Sequence, residues 1–290
     1  MKILDRVASS DGATKYLLSL DDDARVEAVF LRLEDNGKDS LCISSQVGCA
    51  LACRFCSTGV IGFSRNLTSE EIVDQVAVVL DDLDFEQRRR FDLSYMGMGE
   101  PLLNLDAVIG SKDILRARFA DFKFFVSTVG PAGGIEELTR RSPDFGLQIS
   151  LHAPTDELRT KIMPINRAHP IAKVLAAGER YAATSGHSVI LNYCLMGGVN
   201  DTPEHASSLA QLLAGHSFRV QLVNFNAHIT VPYSPSTDER ALAFLDVLQR
   251  AGIRSHYGRQ LGNADGAGCG QLDADYAAGH FHPKRRPHVA

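Results

Sequence analysis

The sequence predicts an α/β protein, a partial (β/α)6 barrel preceded by a short N-terminal β-hairpin. Three observations carry this expectation. Six strand-like segments, 40–45, 92–96, 122–127, 146–151, 188–195 and 219–224, alternate with helix-like ones. Such alternation specifies a mainly parallel sheet with helices outside it. Six βα units are too few to close an eight-stranded barrel, so the barrel is open. Two apolar stretches at 15–20 and 26–33, separated by Asp21-Asp22-Asp23, read as a hairpin with an acidic turn.

Taken in order, the hairpin leads to the strand at 40–45, which runs into a cysteine-rich loop. The helix at 69–83 opens on Thr68-Ser69-Glu70-Glu71, a pattern that lets a hydroxyl and a carboxylate cap the first turn. Further helices are expected at 105–118, 135–141, 171–185, 203–214 and 238–251. No linker, low-complexity tract or short-period repeat interrupts the alternation. The end of the chain, 280–290, carries Lys284, Arg285, Arg286 and three histidines and reads as a mobile basic tail.

Composition narrows the function. Of 290 residues, 44% are hydrophobic and 22% charged, the balance of a globular chain. No apolar run approaches the roughly 20 residues that span a bilayer. Residues 1–12 hold no signal-peptide core. A cytoplasmic protein without a membrane partner is expected. A formal net charge of −5 argues against holding nucleic acid by bulk charge, though not against a local basic groove. Four of the six cysteines lie between Cys42 and Cys56. In a reducing compartment such crowding points to metal binding or catalysis before disulfides.

Cys49-x3-Cys53-x2-Cys56 places three thiols within eight residues, just after the first strand of the alternating series. Thiolates are the usual ligands of iron–sulfur clusters. Three ligands on a cubane of four irons leave one iron open to a small chelating molecule. The competing readings are a zinc site or plain buried thiols. Structural zinc asks for four protein ligands, and no second cysteine pair stands at finger spacing.

This spacing, on the loop after the first strand of a partial barrel, resembles the signature of radical S-adenosylmethionine (SAM) enzymes. Phe55, between the last two cysteines, is usual there. Within that superfamily the chain resembles the RlmN/Cfr family, methyltransferases acting at C2 or C8 of an adenine in large-subunit ribosomal RNA. The likeness rests on blocks kept in order over about 80% of the chain. They are Leu41-Cys42-Ile43-Ser44-Ser45-Gln46-Val47-Gly48-Cys49, Gly62-Phe63-Ser64-Arg65-Asn66-Leu67-Thr68, Met96-Gly97-Met98-Gly99-Glu100-Pro101-Leu102, Ser150-Leu151-His152-Ala153-Pro154, Met163-Pro164-Ile165-Asn166-Arg167, Gly198-Val199-Asn200-Asp201 and Gly268-Cys269-Gly270-Gln271-Leu272.

The resemblance implies roles. Cys49, Cys53 and Cys56 hold a [4Fe-4S] cluster whose open iron binds the amino and carboxylate groups of SAM. Reductive cleavage of SAM then yields a 5′-deoxyadenosyl radical. Gly99 and Glu100 match the turn that meets the SAM amino group. Ser127, Ser150, Leu151, His152 and Asn226 match contacts to its ribose, carboxylate or adenine. Taken singly, Ser127 and Asn226 are better explained by strand-end capping. Cys269 matches the cysteine that becomes S-methylcysteine, so that two SAM are used per turnover. Cys42 matches the cysteine that resolves the covalent adduct, leaving a transient Cys42–Cys269 disulfide. Glu27 matches the proton acceptor, although a solvent-facing strand residue is the simpler reading from periodicity alone. Cys194 matches no family cysteine and reads as a buried small apolar residue. A reducing electron donor such as flavodoxin is the implied partner. The chain then divides into a hairpin extension at 1–36, a radical SAM core at 37–272 and a basic flexible tail at 273–290.

Three features depart from the family pattern. Only about a dozen residues precede the hairpin, where a helical RNA-binding domain is usual. The segment Leu261-Gly262-Asn263-Ala264-Asp265-Gly266 lacks the usual arginine and is rich in glycine. Phe225-Asn226-Ala227-His228 and Ser127-Thr128-Val129 replace Phe-Asn-Pro and Ser-Thr-Ser. The expected activity is methylation of an sp2 carbon, adenine C2 in ribosomal or transfer RNA, with Arg65, Arg159, Lys161 and Arg167 available to line a groove. The alternatives are the same chemistry on a small aromatic metabolite or peptide, and a non-catalytic iron–sulfur protein, against which Cys42 and Cys269 argue.

Overall fold

Strands β1 (Lys2–Ala8), β2 (Ala13–Ser19) and β3 (Arg25–Leu33) form an antiparallel run at the start of the chain. The structure, a computed structural model, describes residues 1–33, 37–85, 90–228 and 230–258. β2 and β3 are the expected hairpin, and its acidic turn is tightened at Asp23, where φ is +62°. β1 was not expected. Its positions alternate between exposed and half-buried with none fully buried, so it lacks the apolar stripe that marks a strand in sequence.

β3 pairs antiparallel with β4 (Lys38–Cys42), so the N-terminal strands continue the main sheet. A separate small hairpin follows, β5 (Gln46–Gly48) with β6 (Phe63–Asn66). The main sheet resumes parallel to β4 with β7 (Arg90–Tyr95), β8 (Phe122–Thr128), β9 (Gly146–Ser150), β10 (Ile190–Leu195), β11 (Arg219–Asn224) and β12 (Ser255–Tyr257). Among the described residues the order is β1-β2-β3-β4-β7-β8-β9-β10-β11-β12, with β1 and β12 at its edges. The six expected parallel strands are all present. β12 makes a seventh among the described residues, missed because Ser-His-Tyr is too short to show a period.

The helices are α1 (Ser57–Ile61), α2 (Ser69–Asp82), α3 (Leu105–Arg118), α4 (Ala132–Arg141), α5 (Asp156–Ile162), α6 (Ile171–Ser185), α7 (Pro203–Leu212) and α8 (Asp238–Arg250). α2 starts with the expected reciprocal cap. Thr68 Oγ1 accepts from the Glu71 amide at 3.2 Å, and Glu71 Oε2 accepts from the Thr68 amide at 2.9 Å. Its buried residues Ile72, Val73, Val76, Val79 and Leu80 recur at helical spacing and seat it on the sheet. Each fully buried aliphatic of this kind stabilises the fold by about 1.5–3 kcal/mol. Helices α1 and α5, at five and seven residues, are too short for a periodic signal.

The two faces of the parallel strands differ. Leu147 and Ile149 of β9, and Leu191, Tyr193 and Leu195 of β10, are buried against the helices. The alternate residues Gln148, Ser150, Asn192 and Cys194 point the other way, into the concave interior. The sheet thus presents a polar inner face, with loops gathered at the carboxyl ends of its strands, where such folds bind ligands.

Candidate active site

The cysteine loop is pinned by close backbone approaches. Gly48 ends β5 at φ +74°, and a Cβ there would lie 1.9 Å from the Gly62 carbonyl oxygen. The absent side chain lets the Cys49 amide donate to that oxygen at 2.8 Å. Cys56 N-caps α1, and its amide donates to the Cys53 carbonyl at 3.2 Å. From outside the loop, the Arg54 amide donates to Ile162 O at 2.9 Å, and His228 Nε2 lies 3.2 Å from Phe55 O. Three chain segments therefore hold the loop that carries the thiols.

Cys53 is buried, while Cys49 and Cys56 are half-buried. Burial pushes the Cys49 thiol up to about 11, with negative charge on Cys56 and Glu100 adding to the shift. Cys53 is raised well above its ordinary value, by burial first and then by Cys56, Cys49 and Glu100. Thiols so placed ionise only beside compensating positive charge, which bound iron supplies. Among the described residues no group of three His, Cys, Asp or Glu converges on one metal ion. An all-sulfur donor set of three free cysteines on one pinned loop suits the iron–sulfur reading.

The turn after β7 lies against the residues that follow β4. Gly97 and Gly99 permit this, since a Cβ on either would sit 2.7 Å from Ile43 C or 2.5 Å from Gln46 Cβ. The Glu100 amide donates to Gln46 Oε1 at 2.8 Å. The Glu100 carboxylate is buried and engaged. Its Oε1 accepts from Thr128 Oγ1 at 2.6 Å and from the Leu102 amide at 3.1 Å, and Oε2 accepts from the Val129 amide at 3.0 Å. Burial nevertheless raises its pKa to about 7. A cationic group arriving here would stabilise the carboxylate that burial disfavours.

The 150–152 segment is held in an uncommon conformation. His152 has φ +58°, a left-handed backbone that is costly for a residue with a Cβ. Its Nδ1 accepts from the Cys194 amide at 3.0 Å, which puts the ring proton on Nε2. Burial and then Arg159 push its pKa down to about 3, so the ring is neutral. The ring meets Phe55 edge-on, 5.0 Å between centroids. Asn200 Nδ2 donates to His152 O at 2.8 Å, giving the 198–201 block a positioning role. Cys194 is half-buried on the inner face and packs, as expected of a small apolar residue, against the apolar cluster that includes Met163, Met196 and Phe225.

Arg159 lies fully buried beneath this segment. Its guanidinium donates to Val129 O at 2.5 Å, Ser150 O at 3.1 Å, Leu151 O at 3.1 Å, Asn166 Oδ1 at 2.9 Å and His169 O at 3.3 Å. It cannot line a basic groove. Arg65 and Lys161 are also engaged. Arg65 pairs with Asp22 and Glu71, both at 2.8 Å, and Lys161 pairs with Glu157 at 2.7 Å. Of the four, Lys161 and Arg167 are exposed.

Register brings the remaining candidates together. Ser127, half-buried near the end of β8, pairs with Gln148, and Ser150 ends β9 opposite Asn192. Asn226 is buried two residues past β11. Cys42, half-buried, ends β4 opposite Val29 on one side and Ser94 on the other. Glu27 stands two residues before Val29 on β3, on the same face and nearer the mouth. It is buried rather than solvent-facing, and its Oε1 lies 3.4 Å from Lys15 Nζ. Composition and motif gave no signal for Lys15 or Thr128, because their partners lie 12 and 28 residues away in sequence. Cys269 and its glycine-rich surroundings lie outside the described residues, as does the 273–290 tail.

Comparison with known proteins agrees with this arrangement. Residues 43–210 match the Radical SAM superfamily. The chain is 40% identical over 280 residues to the dual-specificity RNA methyltransferase RlmN of Syntrophobacter fumaroxidans, covering 95% of this chain and 81% of that one. It is 41% identical over 281 residues to a probable dual-specificity RNA methyltransferase RlmN 1 of Opitutus terrae, covering 93% and 78%. A crystal structure of a radical SAM methyltransferase from Sphaerobacter thermophilus superposes with a TM-score of 0.89 at 35% identity, over 94% of this chain and 81% of that one. A spore photoproduct lyase shares the fold at a TM-score of 0.52 and 11% identity, over 75% and 76% of the two chains.

Proposed function

The chain belongs to the radical SAM superfamily and, within it, to the RlmN/Cfr family of methyltransferases, and on that footing we propose that it methylates adenine C2 in RNA through an S-methylcysteine on Cys269. Supporting the RNA substrate are the RNA methyltransferase names of its relatives. The observation that carries the mechanism is the placing of Cys42 and Glu27 on one inner face, at the end of the sheet where the cysteine loop lies.

When bound, the cluster and SAM supply the methyl group and the 5′-deoxyadenosyl radical, two SAM per turnover. Cys49, Cys53 and Cys56 would hold the cluster, and Gly99, Glu100, Ser127, Ser150, Leu151, His152 and Asn226 would orient SAM. Cys269 carries the methyl group and links it to the ring carbon. Glu27 accepts the ring proton. It is wholly buried at rest, so the wall over it must part for the substrate, as gated sites commonly do. Cys42 then attacks the Cys269 sulfur, and the carbon–sulfur bond breaks with its electron pair on the methylene carbon. That carbon takes a proton to become the methyl group, and a Cys42–Cys269 disulfide is left for a dithiol to reduce by exchange. A donor such as flavodoxin would supply the electron for SAM cleavage. An RNA substrate of this kind places the enzyme in the cytoplasm.

A second reading, the same chemistry on a small aromatic metabolite or peptide, draws support from charge. The net charge is −5, and Arg65 and Arg159 are occupied within the protein. Incubating reconstituted enzyme with SAM bearing a tritiated methyl group, and with total RNA or a metabolite extract, separates the two. Label in RNA supports the first reading. Label confined to small molecules replaces it with the second.

A further inference from the structure

Lys15 and Glu27 form an ion pair with almost no access to water. Nζ and Oε1 are 3.4 Å apart, and the side chains are 1% and 0% exposed. Such pairs are poor stabilisers. Desolvation costs several kcal/mol per ion, and apolar residues of equal volume often hold a core as well or better. Position suggests another use. Lys15 on β2, Val29 on β3 and Cys42 on β4 are register partners and form one row across three strands. Glu27 lies one step nearer the mouth on the same face, diagonal to Lys15 and to Cys42, a relation of about 7 Å between side-chain origins. The ammonium and the resolving thiol thus flank the carboxylate. Ser44, the next inward position after Cys42, fixes the same strand from the other side, its Oγ donating to Glu27 O at 2.6 Å.

We propose that Lys15 is a positioning residue for Glu27, holding its carboxylate on the Cys42 face and compensating its charge until the proton arrives. The inference rests on the reading of Glu27 as proton acceptor. In that step the ring C–H bond of the Cys269-linked adduct breaks, its electron pair stays in the ring, and the proton passes to a Glu27 carboxylate oxygen. The pair changes from net neutral to +1. Without Lys15 the carboxylate loses the buried cation 3.4 Å from its Oε1 and the contact that holds it on this face, so transfer of the ring proton slows.

The test uses reconstituted full-length enzyme, SAM and a large-subunit ribosomal RNA transcript, with mass spectrometry of Cys269. Lys15→Met should load the methyl group normally, accumulate the Cys269–RNA adduct and slow product release about a hundred-fold, the scale of a positioned proton acceptor. Glu27→Gln should do the same, and the double variant Lys15→Met/Glu27→Gln should be no slower than Glu27→Gln alone. Lys15→Arg should restore most of the release rate. Should Lys15→Met fold poorly, Lys15→Met/Glu27→Leu removes both charges, and is expected to stay folded, load methyl and trap the adduct. Trapping by Glu27→Gln with wild-type release by Lys15→Met would overturn the role of Lys15 and leave the base in place. Wild-type release by Glu27→Gln would remove the base and this inference together. Equal loss of methyl loading and adduct in Lys15→Met would make Lys15 a structural prop and overturn the inference.

Discussion

Thr128 Oγ1 donates to Glu100 Oε1 at 2.6 Å, tying the end of β8 to the turn after β7. Glu100 keeps a pKa of about 7, raised from 4.5 chiefly by burial. The folded state therefore binds this proton more tightly than the unfolded chain. The stability it contributes is fully present below about 4.5 and is lost as pH rises through about 7. A shift of this size corresponds to about 3 kcal/mol. Thermal unfolding of the cofactor-free protein should show stability falling from pH 5 to pH 8, with the fall reduced in Glu100→Gln relative to wild type. A pH-independent difference between the two proteins would refute the assignment.

Gly48→Ala should damage cluster assembly more than overall folding. The added Cβ would meet Gly62 O at 1.9 Å and would sit on a positive φ. β5 and β6 lie outside the main sheet, so the clash is confined to the cysteine loop. The expected result is a large drop in iron bound after anaerobic reconstitution, with far-UV circular dichroism unchanged. Ala at Gly62, where a Cβ meets nothing within 4 Å, tests the backbone requirement alone, since φ there is +91°.

Replacing Arg159 by Met should be severe. Four backbone carbonyls and the Asn166 side chain lose a buried cationic donor. Loss of one partner from such a network costs about 3–5 kcal/mol. Arg159→Lys keeps the charge but not the planar fork. It should fold, retain iron and bind SAM at least about ten-fold more weakly, the effect of about 1.4 kcal/mol. Titration calorimetry on the reconstituted protein reads this directly.

Cys269→Ala and Cys42→Ala should fail at different stages. The first should carry no methyl group and give no product. The second should load Cys269 and then hold RNA covalently, because nothing resolves the adduct. Intact-mass measurement after turnover distinguishes them. Multiple turnover by Cys269→Ala would dismiss the S-methylcysteine route.

The chain's local chemistry was legible without a fold. The capping pair Thr68 and Glu71, the hairpin turn at Asp21–Asp23 and the three-thiol spacing depend on residues a few positions apart, and local geometry realises them directly. Six parallel strands and their helices were legible because each is long enough to repeat its apolar period. β1 and β12, and the short helices α1 and α5, were not, because an edge strand without a buried stripe and an element of one or two turns carry no period.

By itself the sequence determined the α/β alternation, the cysteine loop and the family likeness, since each is written in types and spacings along one chain. Tertiary structure alone decided which charges are available. Arg159 looks like a surface arginine in sequence, yet packing turns its guanidinium onto the carbonyls of Val129, just past β8, and Ser150, at the end of β9. Glu27 looks like the outward residue of a strand, yet the register of β2, β3 and β4 buries it beside Lys15, on the face that carries Cys42. Burial and charge pairing are sums over neighbours that arrive from distant segments, and no local pattern encodes those neighbours until the strands have found their order.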